Sequence, residues 1–185
     1  NNSDTDTEYS FSFTDPYYTV DGVSRGFDFF YREEDFDADD TSNYRTDAFG
    51  GGVNFGYPID EFQRLTFGLG YENLDVNLGS DVPTEITNFI AAEGDNYNLL
   101  PLTASWSENR LNKGFLATDG YSQSVSLEAA APGSDLGYYK LRYRGQRYFP
   151  ITEGWILSLE TELGYGDSYG GTGELPFFKH FFSGG

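Results

Sequence analysis

The sequence predicts an all-β fold, an antiparallel up-and-down transmembrane β-barrel with eight strands in this chain. Three observations carry that prediction. The chain holds 17 Phe and 15 Tyr, although its mean hydropathy is negative at −0.52. Those rings need an apolar environment, yet no run approaches the roughly 18 apolar residues of a membrane helix. Apolar and polar residues instead alternate with period two, as in a sheet with one face in lipid and the other in water.

The strands follow one another along the chain. In "TEYSFSFT", Tyr9, Phe11 and Phe13 share one face, and Glu8, Ser10 and Ser12 the other. "VSRGFDFFY" sets Val23, Phe27, Phe29 and Tyr31 against Ser24, Gly26 and Asp28. "DAFGGGVNFGY" sets Phe49, Val53, Phe55 and Tyr57 against Ala48, Gly50, Gly52, Asn54 and Gly56. Next come "LTFGLGY" (Leu65, Phe67, Leu69, Tyr71), "LLPLTASW" (Leu100, Leu102, Ala104, Trp106) and "YSQSVSLEAA" (Tyr121, Val125, Leu127, Ala129). "YYKLRYRGQRYF" (Tyr139, Leu141, Tyr143) and "WILSLETELGY" (Trp155, Leu157, Leu159, Leu163, Tyr165) complete the set. Each is near the roughly 9–11 residues that a tilted membrane strand needs. Tyr57, Tyr71, Trp106, Phe149 and Trp155 fall at strand ends, where aromatic girdles form.

The polar face carries a charge cluster. Lys140, Arg142 and Arg144 project from the seventh strand, and Glu128, Glu160 and Glu162 project from the same side of its neighbours. Opposite charges on adjacent strands pair across a wet lumen. A structural salt-bridge role is the plain expectation, and a selectivity device the sharper one.

Connections set the orientation. "DPYYTVDG" and "YPIDEF" are compact, whereas "EEDFDADDTSNY" and residues 79–97 are long and acidic. Short turns of bacterial barrels face the periplasm, so the first strand starts outside and the eighth ends outside. Secretion delivers a complete small barrel with both termini on the periplasmic side, and the parity therefore predicts an interior piece of a larger barrel. "PGSDLG" and residues 109–120 depart from the length rule, one a short outer loop and the other a long inner turn. Within the longest loop, "DVPTEITNFIAAEG" has Pro83 at a helix start, Ile86, Phe89 and Ile90 on one face, and Gly94 as a stop. It is either a short helix over the barrel mouth or a plain loop.

Bulk properties exclude other classes. The 185 residues make a single domain spanning 1–185, without cysteine and without a visible signal peptide. A net charge of −19 leaves nothing to neutralise phosphates, so nucleic acid is not an expected partner. No catalytic, cofactor or metal site is expected. The sole histidine, His180, lies in a Phe-rich segment outside the strands, which removes the base that a Ser-His-Asp hydrolase requires. "DFDADD" at 35–40 imitates a calcium loop, but Asp40 stands where the sharp turn demands Gly, and a solvated acidic loop is expected. "FGGGVNFG" is followed by no helix, so its glycines serve sheet curvature or close contact, not phosphate binding.

Five stretches together carry a family resemblance: "DPYYTVDGVSRG", "YRTDAFGGGVNFGYPIDEF", "NRLNKGFLATDG", "PGSDLGYYKL" and "GYGDSYGG…ELPFFKHFFSGG". In order and spacing they resemble the barrel of the BamA family of outer-membrane assembly proteins, from residue 7 onward. That family's inner turn typically reads D-R-G…P-T-D-G. Gly114, Thr118, Asp119 and Gly120 match it, while Asn112 and Ala117 replace the usual Asp and Pro. The family barrel has about sixteen strands, and those here resemble its fourth to eleventh. The first strands, which form the family's lateral gate with the last, are outside this sequence, as are the POTRA domains. Residues 174–185 resemble the opening of a large inward-folded loop, ahead of the family's V-R-G-F motif.

The resemblance implies location in the bacterial outer membrane, among lipid and lipopolysaccharide. It implies assembly lipoproteins and unfolded outer-membrane proteins as partners of the parent, and folding and insertion of such proteins, without catalysis, as its function. The fragment itself is expected to keep the fold but not the activity. Since hydrocarbon tolerates no unpaired edge, eight isolated strands are expected to close on themselves as a small barrel. A complete eight-strand barrel acting as an anchor, adhesin or narrow pore is the alternative.

Overall fold

The computed structural model describes residues 7–35, 44–79, 82–152 and 154–179. It is one antiparallel sheet with a helix and an inward-turned segment against one face. The strands are β1 (Thr7–Asp15), β2 (Ser24–Asp35), β3 (Tyr44–Pro58), β4 (Gln63–Leu78), β5 (Asn96–Leu99), β6 (Pro101–Asn109), β7 (Gly120–Ala130), β8 (Tyr138–Thr152) and β9 (Trp155–Ser168). Helix α1 (Thr84–Glu93) precedes β5, and a 3-10 turn at Phe177–Lys179 follows β9. Spatial order follows chain order, as an up-and-down topology requires.

The extra strand is a division within the expected fifth one. β5 pairs with β4 through Glu72↔Leu99 and β6 through Leu69↔Leu102, so both lie on one continuous register. The ladder breaks between them because Pro101 has no N–H to give. The Leu100 amide donates to Ser134 Oγ at 2.9 Å, and its carbonyl accepts from Ala131 N at 2.7 Å. The "PGSDLG" loop is thus short because it folds back onto the barrel rim, where Asp135 Oδ2 also accepts from Asn98 N at 2.6 Å.

One face of the sheet is apolar and open to its surroundings: Tyr9, Phe11, Phe29, Phe49, Phe67, Leu69, Leu127, Leu141, Leu159, Leu163 and Tyr165 are all exposed on it. Register keeps these residues together across the whole sheet, as in Phe11↔Phe29, Val53↔Leu69, Leu127↔Leu141 and Tyr143↔Leu163. Toward the long-loop end the polarity inverts without a change of period. Arg45, Asp47, Asn73, Asp75, Asn77, Asn96 and Asn98 now point outward, hydrogen-bonded or ion-paired to one another. Tyr44, Ala48, Leu74, Val76, Tyr97 and Leu99 point inward and are buried. The strands therefore leave the bilayer on this side and continue as a water-facing wall around an apolar cap.

Of the two options for residues 83–94, the structure takes the helix. Gly94 at its end has φ 92°, a conformation that favours glycine, and its amide returns to Ile90 O at 2.9 Å. Ile86 is buried and Phe89 meets Tyr97 with ring centroids 6.2 Å apart.

The expected closure does not occur. Among the described residues β1 and β9 are both unpaired edges, and β9 is exposed on both faces. The physical reason lies on the inner face. An eight-strand barrel has an interior filled by its own side chains. Here α1 and residues 175–179 pack against that face as well, through Phe89, Ile90, Leu175, Phe177 and Phe178.

Candidate functional site: the lumenal face and the inward-folded segment

After β9 the chain turns at Gly170 and Gly171, both with positive φ, and crosses the rim. Tyr169 N donates to Gly137 O at 2.9 Å, and Gly137 N donates to Thr172 Oγ1 at 2.8 Å. The segment then descends onto the lumenal face. Phe177 packs edge-on against Tyr44 and Phe89, with centroids 5.3 and 5.8 Å away, and Phe178 meets Tyr97 at 5.6 Å. Pro176 is fully buried beneath them.

Lys179 ends this descent on a pair of carboxylates. Its Nζ lies 2.9 Å from Glu72 on β4 and 3.8 Å from Glu128 on β7. Arg32 reaches Glu72 from the other side at 3.8 Å, and Tyr138 donates its hydroxyl proton to Glu128 at 2.8 Å. Both members of the Lys179–Glu72 pair are nearly buried, with side chains 15% and 10% exposed. A cavity of about 110 Å³ remains beside them, lined in part by Thr46, Leu74 and Phe178.

The six charges expected to cluster divide into two groups. Glu128 stands opposite Lys140 in the β7–β8 register and belongs with Lys179 at the cap. Arg142 and Arg144 lie lower, with Glu162 between them at 3.4 and 3.3 Å, and Glu160 accepts from Gln146 at 2.8 Å. This lower group borders an open groove of about 570 Å³ lined also by Ser122, Ser124 and Thr161. Glu72, Lys179, Arg32 and Tyr138 had no part in the expected cluster. Glu72 follows Tyr71, the last residue of the apolar alternation in "LTFGLGY", and Lys179 lies outside the strands.

The inner turn at 110–119 is ordered by one side chain. Asn112 Oδ1 accepts from the amides of Thr118 and Asp119 at 3.1 and 3.2 Å, while its Nδ2 donates to Thr118 Oγ1 at 2.7 Å. An aspartate there could accept but not donate. Asp119 caps the Gly120 amide at 2.7 Å, and a Cβ on Gly120 would lie 2.1 Å from Arg110 O. Gly114 has nothing within 4 Å and meets no such demand. Arg110 anchors the turn to β6 through Glu108 Oε1 at 2.6 Å, a hydrogen bond that raises the guanidinium pKa.

The apolar belt changes height across the sheet. On β1 it runs from Tyr9 to Phe13, four steps or about 14 Å along the strand, and on β2 from Phe27 to Tyr31, the same length. On β9 it runs from Trp155 to Tyr165, interrupted only by Thr161, ten steps or about 34 Å. Among the described residues, no group of three or more His, Cys, Asp or Glu could hold a metal ion. His180 and residues 36–40 of the acidic stretch lie outside the described residues.

The Omp85 superfamily domain matches residues 1–185. The chain belongs to the Omp85 superfamily. It is 36% identical, over 186 residues, to the outer membrane protein assembly factor BamA of Neisseria meningitidis serogroup B (strain ATCC BAA-335 / MC58). That alignment covers 95% of this chain and 23% of the relative, so the chain spans about a quarter of the relative's length. The crystal structure of BamA from Haemophilus ducreyi lacking POTRA domains 1-3 superposes with a TM-score of 0.89 at 28% identity, over 97% of this chain and 36% of that one. The chain is thus an Omp85 barrel segment of the bacterial outer membrane.

Proposed function

We propose that this chain is one arc of a larger barrel that folds and inserts outer-membrane proteins without catalysis. The observation that carries this is an open sheet, alike to assembly-factor barrels along nearly its whole length, whose edges β1 and β9 are left unpaired. In hydrocarbon each unpaired backbone group costs several kcal/mol, so both edges call for further strands of the same barrel. Residues 1–185 are then a single domain only as part of that larger wall. The belt, short at β1 and β2, thins the bilayer on that side and lowers the barrier for an incoming strand. The lumenal charge cluster serves as structural pairing behind the wall. Unfolded outer-membrane proteins are the substrates, and lipopolysaccharide and assembly lipoproteins are the surroundings and partners of the parent. No cofactor enters this mechanism.

The test is to refold the chain, and separately the full-length barrel, in lipid, and to time the folding of a second barrel protein added to each. Acceleration by the full-length barrel and none by the isolated arc is expected. An arc that accelerates folding as well as the full barrel refutes the division of labour, and no acceleration by either refutes the function.

A further inference from the structure

At the periplasmic strand ends, the outer face carries arginines where the apolar belt stops. Arg25 is the second residue of β2, Arg110 follows the last residue of β6, and Arg147 stands opposite Tyr121, the second residue of β7. Each guanidinium lies over an aromatic ring. Arg25 Cζ is 4.0 Å from the Tyr18 centroid and 5.2 Å from that of Phe27, Arg110 is 4.4 Å from Phe62, and Arg147 is 4.8 Å from Phe149. Such stacking occupies the flat faces of a guanidinium and leaves its N–H edges to the medium.

Arg110 gives one edge to Glu108 at 2.6 Å, and the other two arginines have no such partner. No carboxylate among the described residues lies within 4.0 Å of Arg25 or Arg147. Asp15, opposite Arg25 in the register, accepts from Tyr17 N at 3.1 Å instead. The other end of the outer face has the contrary sign. There Glu33 and Asp47 hold Arg45 at 2.8 and 3.1 Å, and Asp75 and Asp167 add further negative charge. In a chain of net charge −19, arginines at this rim that no carboxylate holds, against an Arg45 at the other end held by two, point to an anion at that depth.

We propose that this rim binds phospholipid headgroups of the periplasmic leaflet, the stacked arginines donating to phosphodiester oxygens. Anionic headgroups are preferred, because a zwitterionic one carries its own compensating cation. Girdle aromatics at the same strand ends, Tyr57, Trp106 and Trp155, put the arginines at the level of the interface.

The full-length barrel carrying this chain, reconstituted in phosphatidylcholine bilayers with a trace of spin-labelled lipid, tests the proposal. The fraction of immobilised probe is compared for phosphatidylglycerol and phosphatidylcholine. A preference of about fivefold for phosphatidylglycerol is expected at low salt, falling as ionic strength rises. R25Q/R147Q abolishes the preference and R25K/R147K keeps part of it, since Lys retains the charge without the planar fork. R64Q keeps it in full: Arg64 sits at the same end but on the lumenal side, hydrogen-bonded to Ser24 at 2.9 Å. Retention of heat-modifiable mobility on gels checks that each variant is folded. No preference in the wild type, an unchanged preference in R25Q/R147Q, or an equal loss in R64Q overturns the proposal. So does displacement of the lipid by inorganic phosphate beyond that by chloride of equal ionic strength, which marks a free-anion site.

Discussion

Glu72→Gln removes the anion that receives the inward-folded segment. At 2.9 Å, with an effective dielectric constant of about 20, the gross attraction between Glu72 and Lys179 is about 6 kcal/mol, most of it offset by the desolvation of both groups. Deleting one partner of a buried pair commonly costs about 3–5 kcal/mol, because the other charge is left buried and alone. Here Lys179 keeps Glu128 at 3.8 Å, and the side chains are not fully sealed, so about 2 kcal/mol is expected for the docked segment. Hydrogen exchange of the amides of residues 175–179, in the full-length barrel in lipid, reads that loss as exchange about 30-fold faster. K179M has a similar effect, and E72Q/K179M costs no more than either single change, since the closest pair leaves together while Arg32 keeps Glu34 and Glu128 keeps the Tyr138 hydroxyl. Acceleration below about threefold in E72Q, or costs that simply add in the double variant, would refute the reasoning.

Other substitutions follow from the same geometry. A Cβ on Gly50 would lie 2.3 Å from Tyr71 O and 2.9 Å from the Phe30 ring, so G50A forces β3 and β4 apart and lowers stability by about 2–3 kcal/mol, seen as an earlier urea midpoint in lipid. N112A removes the bonds from Asn112 to Thr118 and Asp119 and costs about 1–2 kcal/mol, with new protease cleavage confined to the turn. N112D keeps the acceptor and loses the donor, and its cleavage rate falls between those of N112A and the wild type. E162Q is the contrast: its side chain is 54% exposed on the lumenal face, so the urea midpoint moves by less than the equivalent of about 0.5 kcal/mol despite two arginine contacts.

Which parts of this were legible in the sequence depends on what the period-two pattern can carry. It reports that residues alternate between faces, and it placed Phe11, Phe55, Leu127 and Leu163 correctly on the lipid side. It does not report which face meets lipid. "YENLDVNL" continues β4 with the same alternation, but with Leu74 and Val76 buried inside and Asn73 and Asp75 in water. An apolar alternation that stops at Tyr71 carries no sign of Glu72 on the lumenal face. Lys179 is hidden differently, because Glu72, 2.9 Å away in the fold, is 107 residues away in the chain, beyond the reach of any local spacing rule. The register pairings Glu128↔Lys140 and Arg144↔Glu162 were accessible from strand order alone. The turn was legible as a motif, whereas the ordering role of Asn112 depends on a donor that only the folded geometry engages.

The open edge and the short belt occur at the same place. β1 presents unpaired backbone groups, and on β1 and its neighbour β2 the apolar belt spans about 14 Å along the strand, against about 34 Å on β9. A tilted strand projects still less onto the membrane normal, so the bilayer beside β1 must thin or expose its tails, at a cost of fractions of a kcal/mol per Å. Closure would remove the edge altogether, and the inner face prevents it. A helix is about 10 Å across with its side chains, and α1 occupies the lumenal side together with Phe177 and Phe178. The cap that Lys179 fastens therefore favours a wide barrel over a small closed one.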